Sequence, residues 1–422
     1  MTNQPPPDGA SADGSAQGGS APDGSVPAGP AGKPSRRSIL RASVTGVTAA
    51  LAGGIGAGAA FASPSDTSVP LPAATGPHPV GTRTFHLVDD RREDPFAPTP
   101  TPRELMIQVW YAAAGHRGLE RARYLTPGLE PVVERRFELP EGSLGSVRTG
   151  AWQDAPAHPR LHRAPVVFFG PGRQDPAATG TAFAQDLASH GYVVIGVNHT
   201  YDGPTQFPDG RIIPQNPATG DQALLRKYSD VRAADLSFVL DVLTGQRATR
   251  LPAEFSRAPH HTGFGVFGHS LGGSAAAEAL RTDQRFTAGA CLDGALQTDA
   301  VKTGLGQPFL LFTEPMELPT WTDFMAHHTA WGRRMVLAGA RHYSFNDLAA
   351  LGVGLRLDQA WTAERHARFF GTAEGRRSQA VTAAYVRAFF DHWLRGRATT
   401  SPSLDAPDAD YPEITISWTS GN

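Results

Sequence analysis

Gly268-His269-Ser270-Leu271-Gly272-Gly273 constrains this chain more than any other stretch. It follows the apolar run Gly263 to Phe267, which reads as a strand, and opens the Ala-rich run Ser270 to Leu280, which reads as a helix. A serine set between strand and helix in this way sits on a sharp, strained turn that lifts its hydroxyl clear of the sheet. Only glycine suits positions 268 and 272, where a side chain would meet the strand or the helix. The helix start beneath the hydroxyl favours negative charge developing there. The pattern predicts Ser270 as a nucleophile at the carboxyl end of a buried strand.

The rest of the chain supplies the sheet such a turn requires. Strands are predicted at Leu105 to Tyr111, Pro165 to Phe169, Tyr192 to Val197, Phe286 to Leu292, Pro308 to Phe312 and Met335 to Ala338. Helical spacing lies between them: Ala182 to His190, closed by Gly191, the long amphipathic run Gln222 to Leu243, and Ala380 to Leu394. Alternating β and α segments imply a mostly parallel central sheet with helices on both faces, an α/β-hydrolase fold once the serine turn is added. Such sheets place their sites at the carboxyl ends of strands. Tyr111 to Arg163, rich in Gly, Pro and Arg, breaks the rhythm and reads as an insertion, either surface decoration or a lid or pocket wall. The domain is expected to span 63–398. A tail, 399–422, follows, and its Glu413 to Trp418 could add an edge strand.

A serine hydroxyl is a weak nucleophile and needs a base, itself oriented by an acid. In this fold the order along the chain is Ser, acid, His. His342 follows a predicted strand, on the loop Gly339 to Phe345, whereas His366, His392 and His327-His328 fall in helical patterns. Asp293 ends the strand Phe286 to Leu292 and lies 293 − 270 = 23 residues after the nucleophile, one helix plus one strand. Glu314, after the next strand, is the rival acid, and Asp299 and Asp323 are less well placed. Oxyanion stabilisation calls for two backbone donors: Leu271, and either Gly172 or Arg173 in Gly170-Pro171-Gly172-Arg173, since Pro171 has no N–H.

The first 62 residues differ from the rest. Met1 to Gly32 is too poor in apolar side chains to fold, and Ser35-Arg36-Arg37-Ser38-Ile39-Leu40-Arg41 precedes a weakly apolar stretch, Ala42 to Phe61. Paired arginines before such a segment, ending in the small-x-small site Ala60-Phe61-Ala62, predict twin-arginine export, cleavage after Ala62 and a secreted product. No later run reaches the ~18 apolar residues of a membrane span. With 38 Lys+Arg against 40 Asp+Glu, the net charge of −2 gives no reason to expect a nucleic acid partner. The sole cysteine, Cys291, lies in an apolar run, so neither an intrachain disulfide nor a cysteine-built zinc site can form. No cofactor and no metal ligand set is expected.

Three blocks carry a family resemblance. Pro171-Gly172-Arg173 with Asp186 to Tyr192, the turn Gly268 to Gly273, and the loop His342-Tyr343-Ser344-Phe345-Asn346-Asp347 resemble plasma-type platelet-activating factor acetylhydrolases and their bacterial secreted relatives. The short Ser–acid spacing, on a strand ending Leu292-Asp293-Gly294, is similar to that family's. The resemblance covers about Val80 to Arg395, with Tyr111 to Arg163 matching poorly. Where the family usually has His-Gly-Leu this chain has Pro171-Gly172-Arg173, so the resemblance puts the second oxyanion donor at Arg173. It also implies hydrolysis of short or oxidised acyl esters of phospholipid type, without calcium. This fits the lack of an Asp-x-Asn-x-Asp-Gly loop. The expectation is therefore a serine carboxylic-ester hydrolase acting on a small ester or phospholipid. A lipase or polyester hydrolase for longer or polymeric esters is the neighbouring reading. A silent hydrolase-fold binding protein would lack a member of the Ser-acid-His set, and none is missing here.

Overall fold

The computed structural model describes residues 68–216, 221–256, 263–399 and 401–421. The segment read as an export signal, with its cleavage after Ala62, lies outside the described residues. The strands in chain order are β1 (Val69–Pro70), β2 (Val80–Glu93), β3 (Pro102–Ala112), β4 (Arg121–Arg123), β5 (Val147–Gln153), β6 (Val166–Gly170), β7 (Val193–Asn198), β8 (Thr205–Gln206), β9 (Ile212–Ile213), β10 (Phe264–His269), β11 (Phe286–Leu292), β12 (Phe309–Thr313), β13 (Gly332–Leu337) and β14 (Ile414–Ser420). The α-helices are α1 (Glu130–Phe137), α2 (Thr181–Ser189), α3 (Gln222–Leu243), α4 (Leu271–Thr282), α5 (Ala300–Thr303), α6 (Pro319–His327), α7 (Asp347–Gly354), α8 (Leu357–Ala360), α9 (Ala363–Phe370) and α10 (Gly375–Arg395).

One sheet runs β1-β5-β2-β3-β7-β6-β10-β11-β12-β13-β14, with β4 on β5, while β8 and β9 pair separately. From β7 to β13 every pairing is parallel, and β2, β3 and β14 add antiparallel pairings outside that block. The expected α/β-hydrolase architecture is therefore the observed one. Alternation along the central strands explains why helices cover both faces. Val166 and Phe168 of β6 pack into one core with Leu236 and Val239 of α3 and Leu280 of α4. Val167 and Phe169, one residue out of phase, face the other core with Phe183 of α2 and Tyr385 and Phe389 of α10. Each such side chain, taken fully out of water, contributes about 1.5–3 kcal/mol before entropy is counted. Among the described residues, no helix is long and apolar enough to cross a membrane.

Several boundaries differ from the sequence expectation. Helix α10 begins at Gly375 rather than Ala380, because the Glu374 carboxylate accepts the N–H groups of Arg376 and Arg377 at 3.1 and 2.6 Å. This polar first turn has no apolar period to betray it. Strand β2 was not anticipated. Its outer end carries Asp89-Asp90-Arg91-Arg92, and the long β2–β3 pairing, not its own pattern, holds it extended. The closing segment does add an edge strand, β14 on β13, so described residues beyond 398 are part of the main sheet. Leu404 is buried on the way, and Asp405 accepts from Arg333 Nη2 at 2.6 Å.

The irregular stretch is built into the fold. Tyr111 still belongs to β3, and β5 lies between β1 and β2 in the main sheet. Leu125, Leu129, Val133 and Phe137 form a third core with Leu348 and Leu351 of α7. This core sets α1 beside the carboxyl-end loops of the central strands.

Candidate active site

The turn after β10 has the predicted geometry. Ser270 takes φ 55° and ψ −123°, a strained combination for a residue with a side chain. Its N–H is tied to Leu292 O at 2.8 Å. A Cβ on Gly268 would lie 2.3 Å from the Gly272 carbonyl carbon, and one on Gly272 would lie 2.0 Å from Gly170 O. The turn therefore closes only with glycine at both positions, as the sequence implies.

Parallel neighbours β10, β11 and β12 end side by side, and their last residues meet. Asp293, just past β11, is buried with a positive φ of 55°. Its Oδ2 lies 2.6 Å from His342 Nδ1, and its Oδ1 accepts the Glu314 N–H at 2.9 Å. His342 Nε2 lies 3.0 Å from Ser270 Oγ. The structure thus brings Ser270, His342 and Asp293 into one hydrogen-bonded line. Burial alone would lower the His342 imidazole. The hydrogen bond and charge of Asp293, with the charges of Glu314 and Asp175, outweigh it and hold the pKa above the ordinary value.

Glu314 does not join that line. Its carboxylate meets Arg341 Nη1 at 3.1 Å, and burial followed by the Asp293 charge raises its pKa. Asp293, Glu314 and His342 bring one ligand atom each within 4.8 Å of one another, and the hydrogen bond to His342 and the ion pair to Arg341 account for that grouping. Asp299 pairs instead with Arg226 at 2.9 Å on the flank of α3. His327 ends α6, and His366 and His392 lie in α9 and α10, as their spacing predicts.

The loop after β6 faces the serine. A cavity of about 170 Å³ is lined by Gly172, Arg173, Gln174 and Asp175 together with Ser270 and His342. Leu271 opens α4, so its N–H is among the first-turn donors that have no partner within the helix. Both Gly172 and Arg173 lie at the cavity, consistent with either as the second donor.

Several residues at the site escaped the sequence reading, Gln174 and Asp175 of the loop among them. Arg136, from the irregular stretch, also lines the cavity. Arg232, buried in α3, donates to Pro171 O and to Gly172 O, the latter at 3.1 Å. His269, beside the nucleophile and buried, presents Nε2 to His342 O at 2.9 Å, while its Nδ1 has no partner among the described residues. A signal existed only for His269, which sits inside the glycine-serine motif.

A mostly parallel sheet covered on both faces, with a strained serine on the strand–helix turn, defines an α/β-hydrolase. No family model matches the chain. It is 27% identical to a protein of Arthroderma benhamiae named probable 1-alkyl-2-acetylglycerophosphocholine esterase, over 84% of this chain and 95% of that protein. It is 26% identical to the platelet-activating factor acetylhydrolase of Canis lupus familiaris, over 48% of this chain and 52% of that protein. A solved ferulic acid esterase from Streptomyces cinnamoneus superposes with a TM-score of 0.72 and 35% identity, covering 82% of this chain and 99% of that one. The chain belongs to the platelet-activating factor acetylhydrolase-like family of α/β-hydrolases and is a carboxylic-ester hydrolase. The resemblance read from the three sequence blocks is met.

Proposed function

We propose that this chain hydrolyses short-acyl esters of phospholipid type by two-step acyl transfer through Ser270, His342 and Asp293. The unbroken hydrogen-bonded line, 3.0 Å from Oγ to Nε2 and 2.6 Å from Nδ1 to Oδ2, carries the reading. Ser270 attacks the ester carbonyl as His342 Nε2 takes its proton. Asp293 holds Nδ1–H and stabilises the imidazolium. The N–H groups of Leu271 and Arg173 receive the oxyanion. His342 then protonates the departing alkoxide, and water, activated by the same nitrogen, releases the acid from the acyl-serine.

Two observations support a short acyl group. The cavity at Ser270, about 170 Å³, is below the ~300–1,000 Å³ typical of drug-sized ligands, so it suits a small acyl group. The Arthroderma benhamiae relative is named for an acetylated glycerophospholipid and aligns over 95% of its length. A second reading, an aromatic-acid esterase, is favoured by the higher identity of 35% to the ferulic acid esterase. Hydrolysis rates for a 2-acetyl and a 2-hexadecanoyl phosphatidylcholine, ethyl ferulate and a polyester film separate these from a lipase or polyesterase. The proposal expects the 2-acetyl lipid to be preferred over the long-chain one, and preference for ferulate or film would replace it. Fluorophosphonate labelling with peptide mapping tests the nucleophile: the adduct belongs on Ser270, and a folded Ser270→Ala chain that still turned over would end the reading. Export through the twin-arginine pathway is part of the proposal, and Arg36→Lys with Arg37→Lys should retain the protein in the cell. Secretion unaffected by that pair would remove it.

A further inference from the structure

The loop that faces Ser270 is strained and is held from outside. Gln174 sits at φ +63°, in the left-handed region that a side chain occupies only when its surroundings hold it there. Asn216 O accepts from Gln174 Nε2 at 2.6 Å and Asp202 Oδ1 from the Gln174 N–H at 3.4 Å, and two guanidinium groups add to the hold. From α3, Arg232 donates to the carbonyls of Pro171 and Gly172. From the last turn of α1, Arg136 grips the next three residues: Nη2 donates to Arg173 O at 2.9 Å, Nη1 to Gln174 Oε1 at 3.0 Å, and Nε to Asp175 Oδ1 at 2.9 Å.

In a trans peptide the C=O and the following N–H point in opposite directions. Pinning Gly172 O therefore fixes the direction of the Arg173 N–H, and pinning Arg173 O fixes that of Gln174. Both peptide planes flanking Arg173 are set by arginines. The helix that carries Arg136 also reaches the base loop, where Phe137 meets the ring of Tyr343, next to His342, edge-on at 5.5 Å.

We infer that Arg136 is a positioning residue for oxyanion stabilisation, which makes the segment between β3 and β6 part of the catalytic apparatus. This rests on the acyl-transfer reading above. Arg136 acts through the loop and is not assigned a contact to substrate. Three convergent contacts from one planar guanidinium cannot be reproduced by an ammonium.

The test is Arg136→Gln and Arg136→Lys, assayed on p-nitrophenyl acetate and with a trifluoromethyl ketone inhibitor. A loosened loop should lower kcat by about 10²-fold, the order expected when a misplaced group disturbs a preorganised site. KM should stay within about twofold, and the inhibitor constant should weaken in parallel with kcat/KM, as for groups that act in the transition state. In Arg136→Lys, which keeps a cation beside Asp175, the acid limb of the pH profile should not move, and Lys should restore little of kcat. A kcat within threefold of wild type, or a rise in KM alone, would overturn the inference. If Arg136→Gln does not fold, Gln174→Gly keeps the question open to test. Glycine relieves the left-handed strain, so Arg136→Lys should cost much less in that background, and an equal cost would refute the idea. Wild-type activity in the Arg136 variants alongside a dead Ser270→Ala would sink this inference alone. A live Ser270→Ala would sink the reading beneath it.

Discussion

Exchanging Asp293 for asparagine should do more harm than its single lost charge suggests. Oδ1 of Asp293 accepts the buried Glu314 N–H at 2.9 Å, and Oδ2 faces His342 Nδ1 at 2.6 Å. In Asp293→Asn the amide oxygen is drawn to the Glu314 N–H, because an NH2 there would set two donors against each other. The NH2 then points at Nδ1, which must accept, so the imidazole proton moves to Nε2, the atom 3.0 Å from Ser270 Oγ. A protonated Nε2 cannot serve as the base. The wrong tautomer in a Ser-His-Asp site lowers kcat about 10⁴-fold, which is ~5.4 kcal/mol at 1.36 kcal/mol per tenfold. Flipping the amide would restore the tautomer but strand the Glu314 N–H at about 1–3 kcal/mol. At 1.36 kcal/mol per tenfold the flipped route costs about 5–160-fold, so the expected loss lies between about 5-fold and 10⁴-fold. Glu314→Gln leaves its backbone N–H in place and disturbs only an ion pair whose Arg341 partner is half exposed, so it should cost less than about tenfold. The assay is kcat/KM on p-nitrophenyl acetate, with urea unfolding to show that both variants are folded. A folded Asp293→Asn enzyme within fivefold of wild type, or a Glu314→Gln enzyme worse than it, would refute the argument.

Because the Asp293 bond and nearby carboxylates hold the His342 pKa above its ordinary value, the neutral base appears only at higher pH. The acid limb of kcat/KM should therefore fall above pH ~6.5, with activity lost as the pH drops through it, and a limb below 6 would contradict the geometry. Gly272→Ala would set a Cβ 2.0 Å from Gly170 O and 2.7 Å from Pro171 O, both backbone, so the oxyanion loop must shift. That variant should lose about 1–3 kcal/mol in urea titration together with most of its turnover, and wild-type kcat would show that the turn is looser than described. Arg103 is buried and pairs with Asp94 Oδ2 and Asp235 Oδ2, both at 2.6 Å, so Arg103→Met leaves buried Asp94 without its cation and buried Asp235 with Arg92 alone. A destabilisation of about 3–5 kcal/mol is expected by urea unfolding, and a change under 1 kcal/mol would refute the network's importance.

What the amino-acid order determined alone was local. The glycine–serine turn could be read because part of its sterics is local: a Cβ at 268 collides with the Gly272 backbone inside the motif, whereas one at 272 meets Gly170 and Pro171 of the neighbouring loop. The central strands could be read because both their faces are buried, which leaves short, nearly unbroken apolar runs such as Val166 to Phe169. His342 stood out because it alone among the later histidines follows such a run. Tertiary structure decided the rest. Asp293 and Glu314 end adjacent strands and look alike in sequence, and only the β11–β12 register points one at His342 and the other at Arg341. Strand β2 exists because β3 pairs with it, and β14 because β13 offers an edge. Arg136 lies 134 residues before the serine whose cavity it lines (270 − 136 = 134), in the stretch with the least pattern. Periodicity reports how a segment meets the core, whereas which distant carbonyl a guanidinium will grip depends on crossovers and register that exist only once the chain has folded.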